Sequence, residues 1–282
     1  MILKGTRHLP TCNQQPPNGA QNWARQKNNL STVRRSSLQA VALALSFPIL
    51  FGSAFPAPGA QQATIPRLRK QGTATQLIVD GKPFLILGGE LGNSSSSSLE
   101  YMRPIWPKLV SLNLNTVLTP VYWELIEPDE GRFDFSLVDG LLREARNHQL
   151  RLVLLWFGSW KNSMSCYAPA WVKTNQKRFP RSQDKSGRGM EILSPFNHDN
   201  VEADARAFAA LMRHLREADG RDNTVIMVQV ENEIGMIPDS RDRSTMADEL
   251  YNQAAPAELM KYLAARKDTL IPEFRELWAR VV

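Results

Sequence analysis

Two cysteines, Cys12 and Cys166, are too few for a disulfide framework, so a hydrophobic core has to hold the fold. The four histidines, His8, His148, His198 and His214, stand singly and show no metal-ligand spacing, so neither a metal nor a cofactor is expected. Acidic residues are missing from the first 60 positions, which carry six basic ones: Lys4, Arg7, Arg25, Lys27, Arg34 and Arg35. Setting these six aside leaves 28 of the 34 Lys and Arg, equal to the 28 Asp and Glu, so the net charge of +6 belongs to the leader. The composition therefore gives no support to a nucleic-acid partner. The apolar run over residues 38–51 is interrupted by Gln39, Ser46 and Pro48 and is too short for a membrane span.

What is present has the layout of an exported globular protein. Arg34 and Arg35 precede that apolar run, and small residues follow it through Ala57, Gly59 and Ala60, as in an export signal. The stretch ahead of Arg34 is long and polar, so an internal start or a twin-arginine route is open, and either gives a secreted or periplasmic product. Two regions are expected: a leader over 1–60 and a folded domain over 61–282. With 43% hydrophobic and 22% charged residues, the chain can bury one substantial core.

After residue 61, short apolar runs alternate with longer amphipathic stretches, the pattern of βα units feeding a parallel sheet. Strands are predicted at 84–89 (FLILGG), 116–120, 151–157 (RLVLLWF) and 224–230 (TVIMVQV). Helices are predicted at about 99–112, opened by a capping box of Ser97 and Glu100, and at 137–147 and 201–217. A long loop is expected over 158–195, a polar loop after Glu233, and helices at 256–267 and 271–282. A closed (β/α)₈ barrel takes roughly 250 residues, so the fold class is α/β of the TIM-barrel type, with about the first four βα units legible.

In such a barrel the loops after each strand converge on one face, so residues just past strand ends meet a substrate. That selects Glu90; Tyr122, Trp123 and Glu124; the stretch from Trp156 to Trp160; and Glu231, Asn232 and Glu233. Carboxylates at a strand end are costly unless used, and burial there raises a carboxylate's pKa and makes it a proton donor. The competing interpretation is that Glu231 and Glu233 pair with Arg or Lys, or cap a helix. Trp123, Trp156, Trp160, Tyr167 and Trp171 suit the flat C–H face of a pyranose, although each could equally serve packing.

These residues carry a resemblance. The run Val228-Gln229-Val230-Glu231-Asn232-Glu233-Ile234-Gly235 resembles the acid/base motif of glycoside hydrolase family 35 β-galactosidases, in a clan whose barrels place an Asn-Glu pair after strand four. Asn115-Thr116-Val117 with Trp123, Glu127-Pro128, Gly131 and Phe133-Asp134-Phe135 is similar to that family's second strand and loop, and Ala168-Pro169-Ala170-Trp171-Val172 to its Leu-Pro-Ala-Trp-Leu segment. With FLILGGE at 84–90 the likeness spans about residues 76–240. It implies Glu233 as general acid/base and Asn232 as partner of the hydroxyl next to the anomeric carbon. Glu90, Trp123, Glu124 and Trp160 are the further candidates for contact with an oligosaccharide or β-galactoside.

The chain departs from that family where Trp123-Glu124-Leu125-Ile126-Glu127-Pro128 replaces Trp-Asn-x-His-Glu-Pro and Phe157-Gly158-Ser159-Trp160 replaces Cys-Ala-Glu-Trp. Both bear on which sugar is held. A retaining mechanism needs a second carboxylate about 5 Å from the first, and the resemblance puts it after a seventh strand. The chain by itself is therefore expected to be a truncated or partial product without activity. Two alternatives stay open: a family 42-like β-glycosidase, which residues 123–135 also resemble, and a non-catalytic carbohydrate-binding protein.

Overall fold

The structure, a computed structural model, describes residues 64–237 and 239–281; the expected leader lies outside the described residues. The described part opens with β1 (Arg67–Gln71), β2 (Ala74–Val79) and β3 (Lys82–Pro83), an antiparallel meander. Asp80 and Gly81, at φ 50° and 78°, turn β2 into β3 in the two-residue hairpin geometry that needs positive φ at both positions.

Then come β4 (Gly88–Glu90), α1 (Leu99–Met102), α2 (Trp106–Ser111), β5 (Thr116–Tyr122), α3 (Trp123–Ile126), α4 (Ser136–Asn147), β6 (Arg151–Lys161) and α5 (Ala170–Lys173). A hairpin of β7 (Arg181–Gln183) and β8 (Gly189–Leu193) leads into α6 (His198–Ala218) and β9 (Val225–Asn232). The chain continues through α7 (Thr245–Tyr251), α8 (Ala257–Ala264) and α9 (Pro272–Val281). Strands β4, β5, β6 and β9 form one parallel sheet in that order, each added beside its predecessor after a crossover containing helix. These are four consecutive βα units of TIM-barrel type.

Alternation along the strands separates two cores. Val117 and Val121 of β5 and Leu152, Leu154 and Trp156 of β6 face the helices and pack against Ala203, Ala207 and Leu211 of α6. Tyr122, Val153, Leu155, Phe157 and Ile226 occupy the opposite face, with Val79 of the meander.

The predicted elements differ from the observed ones at identifiable places. The first strand pairs only over Gly88–Glu90, because the Asn115 side chain bonds the Leu87 N–H and the Leu85 carbonyl, each at 2.9 Å, in place of ladder partners. The helix expected over 99–112 is broken at Arg103-Pro104, since proline cannot donate to the preceding turn. Its cap is Ser98, whose hydroxyl accepts from the Tyr101 N–H at 3.2 Å; Ser97 instead donates to the Ser94 carbonyl. The expected loop over 158–195 holds the end of β6, α5 and the β7–β8 hairpin, and the polar loop after Glu233 holds α7.

Leu154→Ala, at a fully buried position, should lower unfolding free energy by about 2–5 kcal/mol. Leu85→Ala, at a position 78% exposed, should change it by less than about 0.5 kcal/mol; urea unfolding of the two variants checks the contrast.

Candidate active site

Parallel strands bring their carboxyl ends to one rim, where β4 ends at Glu90, β5 at Tyr122, β6 at Lys161 and β9 at Asn232. The register shifts between Trp156 and Lys161, so that Trp156 lies opposite Val230 and Lys161 opposite Asn232. The extra residues of β6 bulge at this point. Their backbone N–H groups lack ladder partners, and side chains replace them.

Glu231 supplies that replacement, accepting from the Trp160 N–H at 2.7 Å and the Ser159 N–H at 3.3 Å. Asp204, on α6, accepts from the same Ser159 N–H at 2.8 Å and from the Trp156 indole N–H at 2.9 Å. The two carboxyl groups meet on the helix side of the sheet. Burial, and then the hydrogen bond and charge of Asp204, push the Glu231 carboxyl up to about 10, so Glu231 keeps a proton at neutral pH. Gly158 leaves the room they fill: a Cβ there would lie 2.5 Å from Asp204 Oδ1 and 2.6 Å from Glu231 Oε1.

The next residue points the other way. Asn232 Oδ1 accepts from the Lys161 ammonium at 2.8 Å, and Lys161 also donates to Asn162 Oδ1 at 2.6 Å. Lys161 sits 4.8 Å from the centroid of Phe157, and Phe157 packs with Tyr122 and Tyr167. Burial raises the Tyr122 phenol well above its usual range, and its hydroxyl bonds Ser96 at 2.9 Å. Glu233 follows at the rim with an exposed side chain, while its carbonyl accepts from the Ser163 N–H at 3.3 Å. Glu231 and Glu233 both have left-handed backbone, at φ 60° and 50°. Such conformations are costly for residues with a Cβ and persist where surrounding contacts fix them.

The six candidate residues therefore separate. Asn232 and Glu233 lie together at the end of β9. Trp160 touches them indirectly, through its N–H on Glu231. Glu90 is exposed at the end of β4, opposite Leu118 of β5. Glu124 is half-buried and paired with Lys173 at 3.3 Å. Trp123 is not on the rim: it is fully buried in the helix-side core, donating to Glu127 at 2.8 Å and packing edge-on against Trp171. Its position one residue past Tyr122 turns it toward the helices.

Two residues escaped the sequence reading: Asp204 and Lys161. Asp204 had a signal, a lone acid on the apolar stripe of Ala203, Ala207 and Leu211. Lys161 had none, since an isolated lysine after a strand ordinarily faces water.

A cavity of about 600 Å³ opens on the helix side of β9, among Trp156, Phe196, Phe208, Val230, Ile234 and Met236. Its wall is largely apolar, and Asn232 faces the opposite side of the sheet. Among the described residues no group of three or more His, Cys, Asp or Glu could hold a metal, and no helix is long and apolar enough to cross a membrane.

The carboxyl pair makes stability depend on pH. Folded Glu231 keeps a proton that the unfolded chain releases near its ordinary value of 4.5, so its contribution is complete below about pH 4.5 and drains away as pH rises toward 10. The thermal midpoint should fall between about pH 5 and 9, and Glu231→Gln, a neutral isostere, should flatten that slope. An unchanged slope in the variant would contradict a proton held on Glu231. Gly158→Ala should cost about 1–3 kcal/mol through overpacking, measured by denaturant unfolding.

The chain is similar to known proteins. A Beta-galactosidase from Xanthomonas manihotis is 31% identical over 221 residues, covering 76% of this chain and 33% of that protein. Beta-galactosidase-1-like protein 3 from Homo sapiens is 30% identical over 175 residues, covering 60% of this chain and 24% of that protein. Among solved structures, a GH42 beta-galactosidase from G. stearothermophilus aligns at a TM-score of 0.47 and 18% identity, over 65% of this chain and 25% of that one. The chain spans about a third or less of the length of these curated relatives. The sequence pattern of Glycosyl hydrolases family 35 matches residues 76–270, well over half of the chain, and the chain belongs to that family.

Proposed function

We propose that this chain supplies the acid/base half of a retaining β-galactosidase-like site, with Glu233 as the proton-transferring carboxyl group. The observation that carries this reading is the Asn232-Glu233 pair at the carboxyl end of the fourth parallel strand in a family 35 chain. The substrate would be an oligosaccharide or other β-galactoside, with its terminal sugar at the rim. The basic, then apolar, leader supports a secreted or periplasmic location.

The chemistry follows from two carboxyl groups. Glu233 donates its proton to the glycosidic oxygen as the bond from that oxygen to the anomeric carbon breaks. A second carboxylate attacks that carbon from the opposite face and forms a glycosyl ester. Glu233, now a carboxylate, takes a proton from water as the water oxygen attacks the anomeric carbon and the ester bond breaks. Asn232 holds the neighbouring hydroxyl, where a hydrogen bond strengthens in the transition state. The second carboxylate would come from a segment beyond these four βα units, after the seventh strand by family resemblance.

An assay on nitrophenyl β-galactoside tests both parts. The purified chain should give no hydrolysis above its Glu233→Gln control. A chimera joining it to the remaining catalytic segment of a family 35 relative should hydrolyse the substrate, and Glu233→Gln should lower that rate about 10²–10⁴-fold. Hydrolysis by the chain alone that is lost in Glu233→Gln would overturn the two-segment reading. A chimera indifferent to the substitution would overturn the role of Glu233.

A further inference from the structure

One buried charge takes no part in that mechanism. Lys161 is 8% exposed at the last position of β6. Among the described residues, the lysine within 4.0 Å of a carboxylate is Lys173, against Glu124. Lys161 instead donates to two amide oxygens, those of Asn162 and Asn232. Burying an ammonium is expensive unless its protons are used. Its use here follows from what each partner can do.

An ammonium has donors and no acceptor, whereas a carboxamide has one accepting oxygen and one donating nitrogen. The 2.8 Å contact of Lys161 Nζ with Asn232 Oδ1 therefore decides which way the amide faces. Its oxygen is committed to the protein interior, and a flipped amide would set N–H against N–H. The Nδ2 group makes no hydrogen bond to the described residues and is not buried. Asn232 thus turns two N–H donors toward the rim, one residue before Glu233.

We infer that Lys161 is a positioning residue that locks the Asn232 amide with its nitrogen outward, so that Asn232 donates to a hydroxyl oxygen of the saccharide. This rests on the glycosidase reading of the rim. It adds a direction to the contact: the sugar oxygen accepts, and its own proton is directed elsewhere. A charge-assisted bond to the amide oxygen also polarises the amide and strengthens the outward N–H groups. Were Lys161 merely a tie between the ends of β6 and β9, its loss would lower stability without determining the amide's orientation.

The test uses the 282-residue chain labelled with ¹⁵N and ¹³C at Asn and Lys, with the Asn232 side-chain NH₂ pair assigned by its disappearance in Asn232→Asp. The pair should be displaced from the free-amide position. Lys161→Met should remove the displacement, and Lys161→Arg should retain it. In the unsubstituted chain, a through-hydrogen-bond coupling between Lys161 Nζ and Asn232 Cγ should be present, which keeps the test open if Lys161→Met fails to fold. An NH₂ pair unmoved by Lys161→Met, or absence of the coupling, would overturn the inference. Neither result depends on hydrolysis, so the Glu233→Gln assay can fail while the lock stands, and the lock can fail while that assay succeeds.

Discussion

The rim of this half-barrel depends on how β6 and β9 are joined where their backbone ladder gives out. Beyond Trp156 the two strands fall out of step, and hydrogen bonding passes from main chain to side chains. Glu231 and Asp204 receive the freed N–H groups on the helix side, and Lys161 grips Asn232 on the other. A buried acceptor for unpaired N–H groups is an obligation of folding, and carboxyl oxygens meet it with charge-assisted bonds. Placing two carboxyl groups together is tolerable because Glu231 holds its proton. Gly158 belongs to the same arrangement, since a side chain there would occupy their space.

Left-handed backbone at Glu231 and Glu233 breaks the strand alternation, so the three consecutive residues Glu231-Asn232-Glu233 do different work. Glu231 turns to the helices and holds the bulge; Asn232 turns to the other face; Glu233 emerges into solvent on left-handed backbone. Two adjoining acids of like chemistry are thereby separated into a structural group and an exposed one. The buried carboxyl, where desolvation raises affinity for a proton, is the structural one.

The sheet was legible because strands covered on both faces read as unbroken apolar runs, and residues 151–157 are the clearest instance. The Asn-Glu pair was legible because acids seldom end such a run without purpose. The opening meander was not read: Arg67–Gln71 is polar and exposed, although the Asp80-Gly81 pair was an available hairpin signal. Trp123 was misplaced because counting past a strand end does not reveal which face a side chain takes, and Lys161 was missed because its partner Asn232 lies 71 residues away in the sequence. Exposed Val230 and Ile234 beside the apolar cavity of β9 are likewise visible only in three dimensions.

The central claim, that Glu233 and not another carboxylate handles the proton, is tested most directly by chemical rescue of Glu233→Ala in a chimera that carries the second carboxylate. With dinitrophenyl β-galactoside, whose leaving group needs no acid, added azide should restore turnover and yield the β-galactosyl azide, because azide attacks the glycosyl ester without a general base. Formation of the α-azide, or no rescue at all, would contradict the assignment.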